Sequence, residues 1–229
     1  ARGDLGVECP FEDLPILQRE IVRSCQIIGK PVIVATHMLE SMCQEPVPTR
    51  AEVTDVANAV FEQADAIMLS GETSVGKFPN RCVQAMDRIA RRMEREPAAR
   101  FHELASLTND RQKLAKAAVN MADDLDAQAI VVFTRVGRLV PEVAWMRPCR
   151  APILALCLND EVARSLALHR GVRPVVLPWG DAEASDVVDH ALKNLVEQNL
   201  LEQGDTVVIV SSRRAVEEIA DSVQMARVS

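Results

Sequence analysis

Leu14, Leu17, Ile21, Ser24 or Cys25, and Ile28 recur at helical spacing, and Gly29 follows where a helix commonly ends, so the pattern predicts a helix from about 14 to 28. Pro31 to Thr36 is a short apolar run rich in β-branched residues and reads as a strand buried on both faces. Thr49 and Glu52 have the spacing of a capping box, in which each side chain satisfies a free backbone N–H of the same turn. They open a helix with Val53, Val56, Ala57, Val60, Phe61 and Ala64 on one stripe. Asp65 to Ser70 predicts a second strand, ended by Gly71. A third helix spans about 80–96, with Val83, Met86, Ile89, Ala90 and Met93 inward and Pro97 stopping it.

Strands alternating with amphipathic helices call for a parallel sheet with helices outside, because parallel neighbours need a crossover. Two strands cannot make such a sheet alone, and the polar residues gather at strand ends, at Thr36 and at Ser70-Gly71-Glu72-Thr73, as on the catalytic face of a β/α barrel. The fold expected is therefore α/β: the last strands of a partial TIM-type barrel over 1–96, a linker over 97–112 where periodicity lapses, and an open doubly wound α/β domain over 113–229. In that second domain the pattern predicts strands at 128–133, 152–157, 173–177 and 205–210. Helices are predicted at 113–125, 139–146, 160–169, 185–200 and 213–221.

Composition narrows the function. The chain has 229 residues, and its 33 acidic against 26 basic side chains, net −7, argue against general binding to nucleic acid or anionic membranes, which runs on clustered Lys and Arg. Aromatics are 3% with no Tyr, so base-stacking platforms are poor candidates. No apolar run is long enough to span a membrane. Cysteines at 9, 25, 43, 82, 149 and 157 show neither a Cys-x-x-Cys pair nor a recurrent short spacing, which disfavours a disulfide framework or zinc site and suits a reducing cytoplasm. The opening Ala1-Arg2-Gly3-Asp4-Leu5-Gly6, with no initiator Met and no lead-in strand, reads as starting in the middle of a longer fold.

Arg2-Gly3-Asp4 spells a cell-adhesion tripeptide, but in an acidic α/β chain chance is the better explanation. Small residues there let backbone approach a ligand, and Asp4 could take a hard cation such as Mg²⁺; an Asp and glycines merely shaping a loop is the alternative. His102, His169 and His190 lie far apart and read as surface or structural, and Met86 and Met93 as core.

Taken together, Ala1 to Glu8, Ala35-Thr36-His37-Met38-Leu39-Glu40-Ser41-Met42, Pro48 to Glu52, Asp55 to Val60 and Met68 to Thr73 closely resemble pyruvate kinase, in the family's order and intervals. Residues 97–229 resemble its C-terminal domain more loosely, in layout and in Arg147-Pro148 and Pro152-Ile153. The resemblance implies phosphate transfer from phosphoenolpyruvate to ADP, giving pyruvate and ATP, with Mg²⁺ and K⁺, in a homo-oligomer, a tetramer. It implies that Asp4 is one of two carboxylate ligands of Mg²⁺, and that the Gly3 and Asp4 amides hold the substrate carboxylate. Thr36 corresponds to a hydroxyl beside the enolate carbon, and Ser70 and Glu72 to a polar network that relays a proton or only forms a turn. Arg50 resembles an arginine near the subunit contact, an exposed helix-start arginine being the alternative.

Two departures qualify this. His37 stands where the family usually has Gln and reads as tolerated variation, and Leu139 replaces a hydroxyl residue in Thr134-Arg135-Val136-Gly137-Arg138-Leu139. That segment resembles a loop for a phosphorylated effector, so Thr134 and Arg138, with Arg213 from Ser211-Ser212-Arg213-Arg214, are candidate effector residues, against the alternative of a solvated basic loop. The resemblance places the catalytic Lys, the second Mg²⁺ ligand, the K⁺ site and the lid domain upstream of Ala1, so these residues alone are expected to be inactive. The rivals are a non-catalytic ligand-binding and oligomerisation module, and another α/β phosphotransferase or lyase using the same barrel face.

Overall fold

The computed structural model describes residues 2–178, 184–211 and 222–228, which form two compact units, Ala1–Ala105 and Ser106–Ser229. The helix expected at 213–221 lies outside the described residues.

The first unit opens with a short helix, α1 (Arg2–Glu8), followed by α2 (Leu14–Ile28). Gly29 caps α2 in the left-handed conformation at φ 72°, and the N–H groups beyond the helix return to the carbonyls of Cys25 and Gln26. The apolar stripe of α2 is not its buried face. Gln18, Val22 and Gln26 are buried, whereas Ile21 is 44% and Ile28 65% exposed. The reason is a polar knot: Glu62, fully buried, accepts Gln18 Nε2 at 3.1 Å, Arg19 Nε at 3.1 Å and Asn58 Nδ2 at 3.2 Å. Gln26 Nε2 donates to the carbonyls of Glu62 and Gln63. A buried carboxylate needs such partners, and α2 turns its amides inward to supply them.

β1 (Ile33–Ala35) pairs in parallel with β2 (Ala66–Met68), Ile33 opposite Ala66 and Ala35 opposite Met68. Both strands are shorter than expected, and Ile33 and Met68 leave one flank of the pair open rather than buried on both faces. Asp65 fixes the start of the pair by exchanging bonds with Val32: its N–H donates to the Val32 carbonyl at 2.9 Å, and its carboxylate accepts the Val32 N–H at 3.0 Å.

α3 (Arg50–Phe61) starts at the expected capping box, in which the Thr49 hydroxyl accepts the Glu52 N–H and the Glu52 carboxylate accepts the Thr49 N–H. A single turn, α4 (Gly71–Ser74), follows β2, then α5 (Pro79–Met93), and a 3-10 turn at Phe101–Leu104 against α2 closes the unit. Val22, Val34, Met38, Leu39, Met42, Val56, Ala59, Cys82, Ala85 and Met86 form its core. Val83, expected inward, is 54% exposed, and Met93 lines an apolar groove of about 320 Å³ between α3 and α5.

The second unit is a five-stranded sheet. Asn109 caps α6 (Asp110–Asp124), which leads to β3 (Ala129–Thr134), α7 (Leu139–Trp145), β4 (Ile153–Cys157), α8 (Asp160–Leu166) and β5 (Val172–Val176). Then come α9 (Ala184–Glu197), β6 (Thr206–Ser211) and β7 (Ser222–Arg227). The order is β5-β4-β3-β6-β7, parallel except for β7, which runs antiparallel along β6. In β3, β4 and β6 residues pointing to both faces are buried, as in a covered parallel sheet, whereas the edge strands β5 and β7 are partly exposed. Val131, Leu154, Leu156 and Ile209 pack with Ala191, Leu192 and Leu195 of α9, while Ile130, Val132, Ile153 and Val208 are buried on the opposite side, where α6 and α7 lie against β3. The sequence predicted four strands here; the fifth, β7, is a half-exposed edge strand whose weak pattern gives no strong signal.

Candidate active site

Two strand ends and one short helix bring together the residues singled out in the first unit. α1 lies at the C-terminal end of β1, and the Gly3 N–H donates to Thr36 Oγ1 at 3.0 Å. The Thr36 hydroxyl in turn donates to the Ala35 carbonyl at 2.7 Å. Thr36 and His37 both sit in the left-handed region, at φ 64° and 52°. For a β-branched residue this conformation is an outlier that surrounding contacts must hold. A β-carbon at position 3 would lie 3.5 Å from His37 Cε1 and 3.8 Å from Thr36 Oγ1, ordinary van der Waals distances, so α1 lies against this turn without the contact itself demanding a glycine. His37 itself is exposed.

Arg2 supplies much of that hold. Its Nε donates to the Ala35 carbonyl at 3.2 Å, and its Nη2 to the Thr36 carbonyl at 2.6 Å and to Met38 Sδ at 2.8 Å. Its Nη1 lies 2.6 Å from both carboxylate oxygens of Asp55 and 3.4 Å from Gln18 Oε1. Neither Arg2 nor Asp55 stands out from the sequence except as part of a motif, because their partners lie on four separate segments.

Glu72 is fully buried and accepts the backbone N–H of Leu39 at 2.9 Å and of Ser70 at 2.7 Å. Burial alone would raise its pKa, but the surrounding N–H groups of Leu39, Ser70, Glu72 and Met38 outweigh that and hold the carboxyl below its ordinary value. The same balance governs Glu52, where burial is overcome by bonds from the hydroxyl and N–H of Ser41 at 2.6 Å each and from Thr49. Two carboxylates thus tie the segment after β1 to α3 and to the end of β2. Beside them, burial first and the nearby Glu40 and Glu72 charges second push the Cys43 thiol up, and Cys82 is raised by burial and then Glu72, so both stay protonated at neutral pH.

Asp4 is exposed, and among the described residues its carboxylate meets no hydrogen-bond or ion-pair partner. Mg²⁺ prefers oxygen ligands and is usually held by one or two carboxylates together with waters and substrate phosphates. Asp4 fits as one such carboxylate. No group of three or more His, Cys, Asp or Glu side chains that could hold a metal occurs among the described residues. Arg50 lies exposed in the first turn of α3.

In the second unit Thr134 ends β3, buried, with its hydroxyl accepting the Gly137 N–H at 2.9 Å, and Arg138 is exposed at the start of α7. β3 lies between β4 and β6, where the strand order reverses, and in open α/β sheets the carboxyl ends at such a point form a ligand crevice. Arg213 lies outside the described residues, while Ser211, ending β6, bonds Ser222 through their hydroxyls at 2.8 Å.

Comparison with known proteins places both units. The pyruvate kinase barrel domain matches residues 1–83, and the pyruvate kinase alpha/beta domain matches residues 112–228. The chain is 45% identical over 215 residues to plastidial pyruvate kinase 3 of Arabidopsis thaliana, covering 93% of this chain and 37% of the relative. It is 40% identical over 229 residues to pyruvate kinase 2 of Synechocystis, covering 100% of this chain and 38% of the relative. A crystal structure of a pyruvate kinase from Cryptosporidium parvum superposes with a TM-score of 0.91 at 35% identity, covering all of this chain and 46% of that one. The chain thus spans less than half the length of these relatives. With both domain types matched in order and the fold shared throughout, the chain belongs to the pyruvate kinase family.

Proposed function

We propose that the protein carrying this chain transfers the phosphoryl group of phosphoenolpyruvate to ADP, yielding pyruvate and ATP, and that this chain supplies one wall of the site. The observation that carries the reading is the junction at the end of β1: an exposed carboxylate, Asp4, follows an amide bonded to the oriented Thr36 hydroxyl, in a chain of this family. In the reaction the phosphoryl group leaves the enol oxygen for the terminal phosphate oxygen of ADP, and the enolate takes a proton at its methylene carbon. Bound Mg²⁺ would supply positive charge against the transferring group. Asp4 would hold that cation, and the Asp4 amide faces the substrate carboxylate, while the Gly3 amide, to which the family resemblance gives the same role, is bonded to Thr36 Oγ1. Thr36 presents its hydroxyl beside the methylene carbon. Glu72, ionised and engaged by Leu39 and Ser70, serves by fixing Ser70 and the segment after β1; its lowered pKa and occupied oxygens favour this role over proton relay. The K⁺ that the family resemblance implies has no ligand assigned among these residues.

On this reading residues 1–96 complete a catalytic barrel, 97–112 link, and 113–229 form the regulatory and assembly domain of a cytoplasmic homotetramer. Thr134, Arg138 and Arg213 then serve a phosphorylated effector, a use favoured for Thr134 and Arg138 by their place at and just after the end of β3, where the strand order reverses. Arg50 belongs near a subunit contact.

A coupled pyruvate assay tests the proposal on the complete enzyme, on Asp4→Asn, on Thr36→Ala and on the 229-residue chain alone. Asp4→Asn should shift the Mg²⁺ requirement strongly upward, because an amide oxygen is neutral. Thr36→Ala should lower turnover by about 2.7–4 kcal/mol of barrier, as loss of one oriented donor does, with little change in Mg²⁺ dependence. The chain alone should make no pyruvate. Unchanged Mg²⁺ dependence in Asp4→Asn would remove the ligand assignment, and turnover by the chain alone would remove the division of the site.

A further inference from the structure

The geometry points to Arg2 as a positioning residue that, braced by Asp55, holds the Thr36 hydroxyl in its working orientation. This rests on the role proposed above for Thr36. A guanidinium has five N–H donors in a planar fork, and in Arg2 all five have acceptors within 3.4 Å. Two of the acceptors are the consecutive carbonyls of Ala35 and Thr36, which flank the left-handed turn at φ 64°. The Ala35 carbonyl is also the acceptor of the Thr36 hydroxyl, and the Gly3 N–H that bonds to that hydroxyl belongs to the residue following Arg2. One side chain therefore grips both carbonyls that fix the turn, while its backbone neighbour grips the hydroxyl. Asp55, from α3, orients the guanidinium with a pair only 12% and 32% exposed at its two side chains, where screening by water is reduced. The Arg2 side chain has no donor left over for a substrate, so it acts through Thr36.

Lysine in place of Arg2 keeps the charge beside Asp55 but brings a point-like ammonium that cannot grip two carbonyls and a carboxylate in one plane. The test is a double-mutant cycle on the complete enzyme: wild type, Arg2→Lys, Thr36→Ala and the double variant, with kcat and KM for phosphoenolpyruvate measured separately. Arg2→Lys is expected to lower kcat at least tenfold with KM changed less than threefold, and to have less than a twofold effect in the Thr36→Ala background, since the group it positions is then gone. Asp55→Asn repeats the cycle with a milder change and stands in if Arg2→Lys does not fold. Equal losses in both backgrounds, or a raised KM at unchanged kcat, would overturn the inference. A wild-type enzyme without phosphoenolpyruvate-dependent turnover, or a Thr36→Ala variant with normal kcat, would instead sink the reading on which it rests, so the two failures are told apart.

Discussion

Glu72 and Leu39, 33 residues apart, are joined by a 2.9 Å bond from the Leu39 N–H to a carboxylate with no exposure to solvent. The other Glu72 oxygen takes the Ser70 N–H, so this side chain locks the ends of both strands of the first unit. Its folded-state pKa lies below the ordinary 4.5, so the stability it contributes is present above that value and is lost as pH falls through the lowered folded pKa. Glu72→Gln in the complete enzyme should cost about 1–3 kcal/mol at pH 7, the range for disturbing a buried hydrogen-bonded group. It should also flatten the acid limb of the urea midpoint below pH 4.5 relative to wild type. An unchanged acid limb would show that the loop is held by other contacts.

The capping box offers an independent measure of local stability. Thr49→Ala removes the acceptor of the Glu52 N–H and one donor to the Glu52 carboxylate, and should cost about 1 kcal/mol. Glu52→Ala should cost more, because it also strands the N–H of Ser41, bonded at 2.6 Å. Urea midpoints that ranked these two in the opposite order would mean the tie to Ser41 contributes little.

Gly76 sits where a β-carbon would come within 2.5 Å of the Glu72 carbonyl and 3.2 Å of Cys43 Cα. Both neighbours are backbone and cannot swing aside, so Gly76→Ala should destabilise by about 1–3 kcal/mol through overpacking. Gly6→Ala, with nothing within 4 Å of the added carbon and a helical backbone, should be neutral or stabilise by up to about 1 kcal/mol. Thermal midpoints of the two variants, side by side, separate steric crowding from any general intolerance of glycine replacement.

Residues 106–229 should fold alone with one cooperative thermal transition, because their five-stranded sheet carries its own two-sided core. Residues 1–105 should not, since their sheet is a single parallel pair with Ile33 and Met68 more than 40% exposed. Circular dichroism melts of the two pieces check this, and a sharp transition in the shorter piece would show that α2, α3 and α5 suffice without further strands.

What the sequence determined by itself is what short-range chemistry controls. The Thr49–Glu52 box, the Gly29 cap and the span of α2 depend on residues within a turn of one another, and all are readable from spacing. The strands β3, β4 and β6 announce themselves as unbroken apolar runs because both of their faces are covered. Motif order carried the resemblance that the domain matches later supported. Tertiary structure decided the rest, where one side chain answers to several distant segments. α2 buries Gln18 and Gln26 instead of Ile21 and Ile28 because Glu62, just past the end of α3, needs donors. β7 exists by pairing with β6, and its own half-exposed pattern is weak. The acceptors of Arg2 come from α2, α3, the end of β1 and the turn after it, and the two ties of Glu72 come from the ends of two strands. Periodicity records which face of an element is apolar; it carries no information about which remote carbonyl or carboxylate a buried polar group will meet, and that pairing sets the geometry of the site.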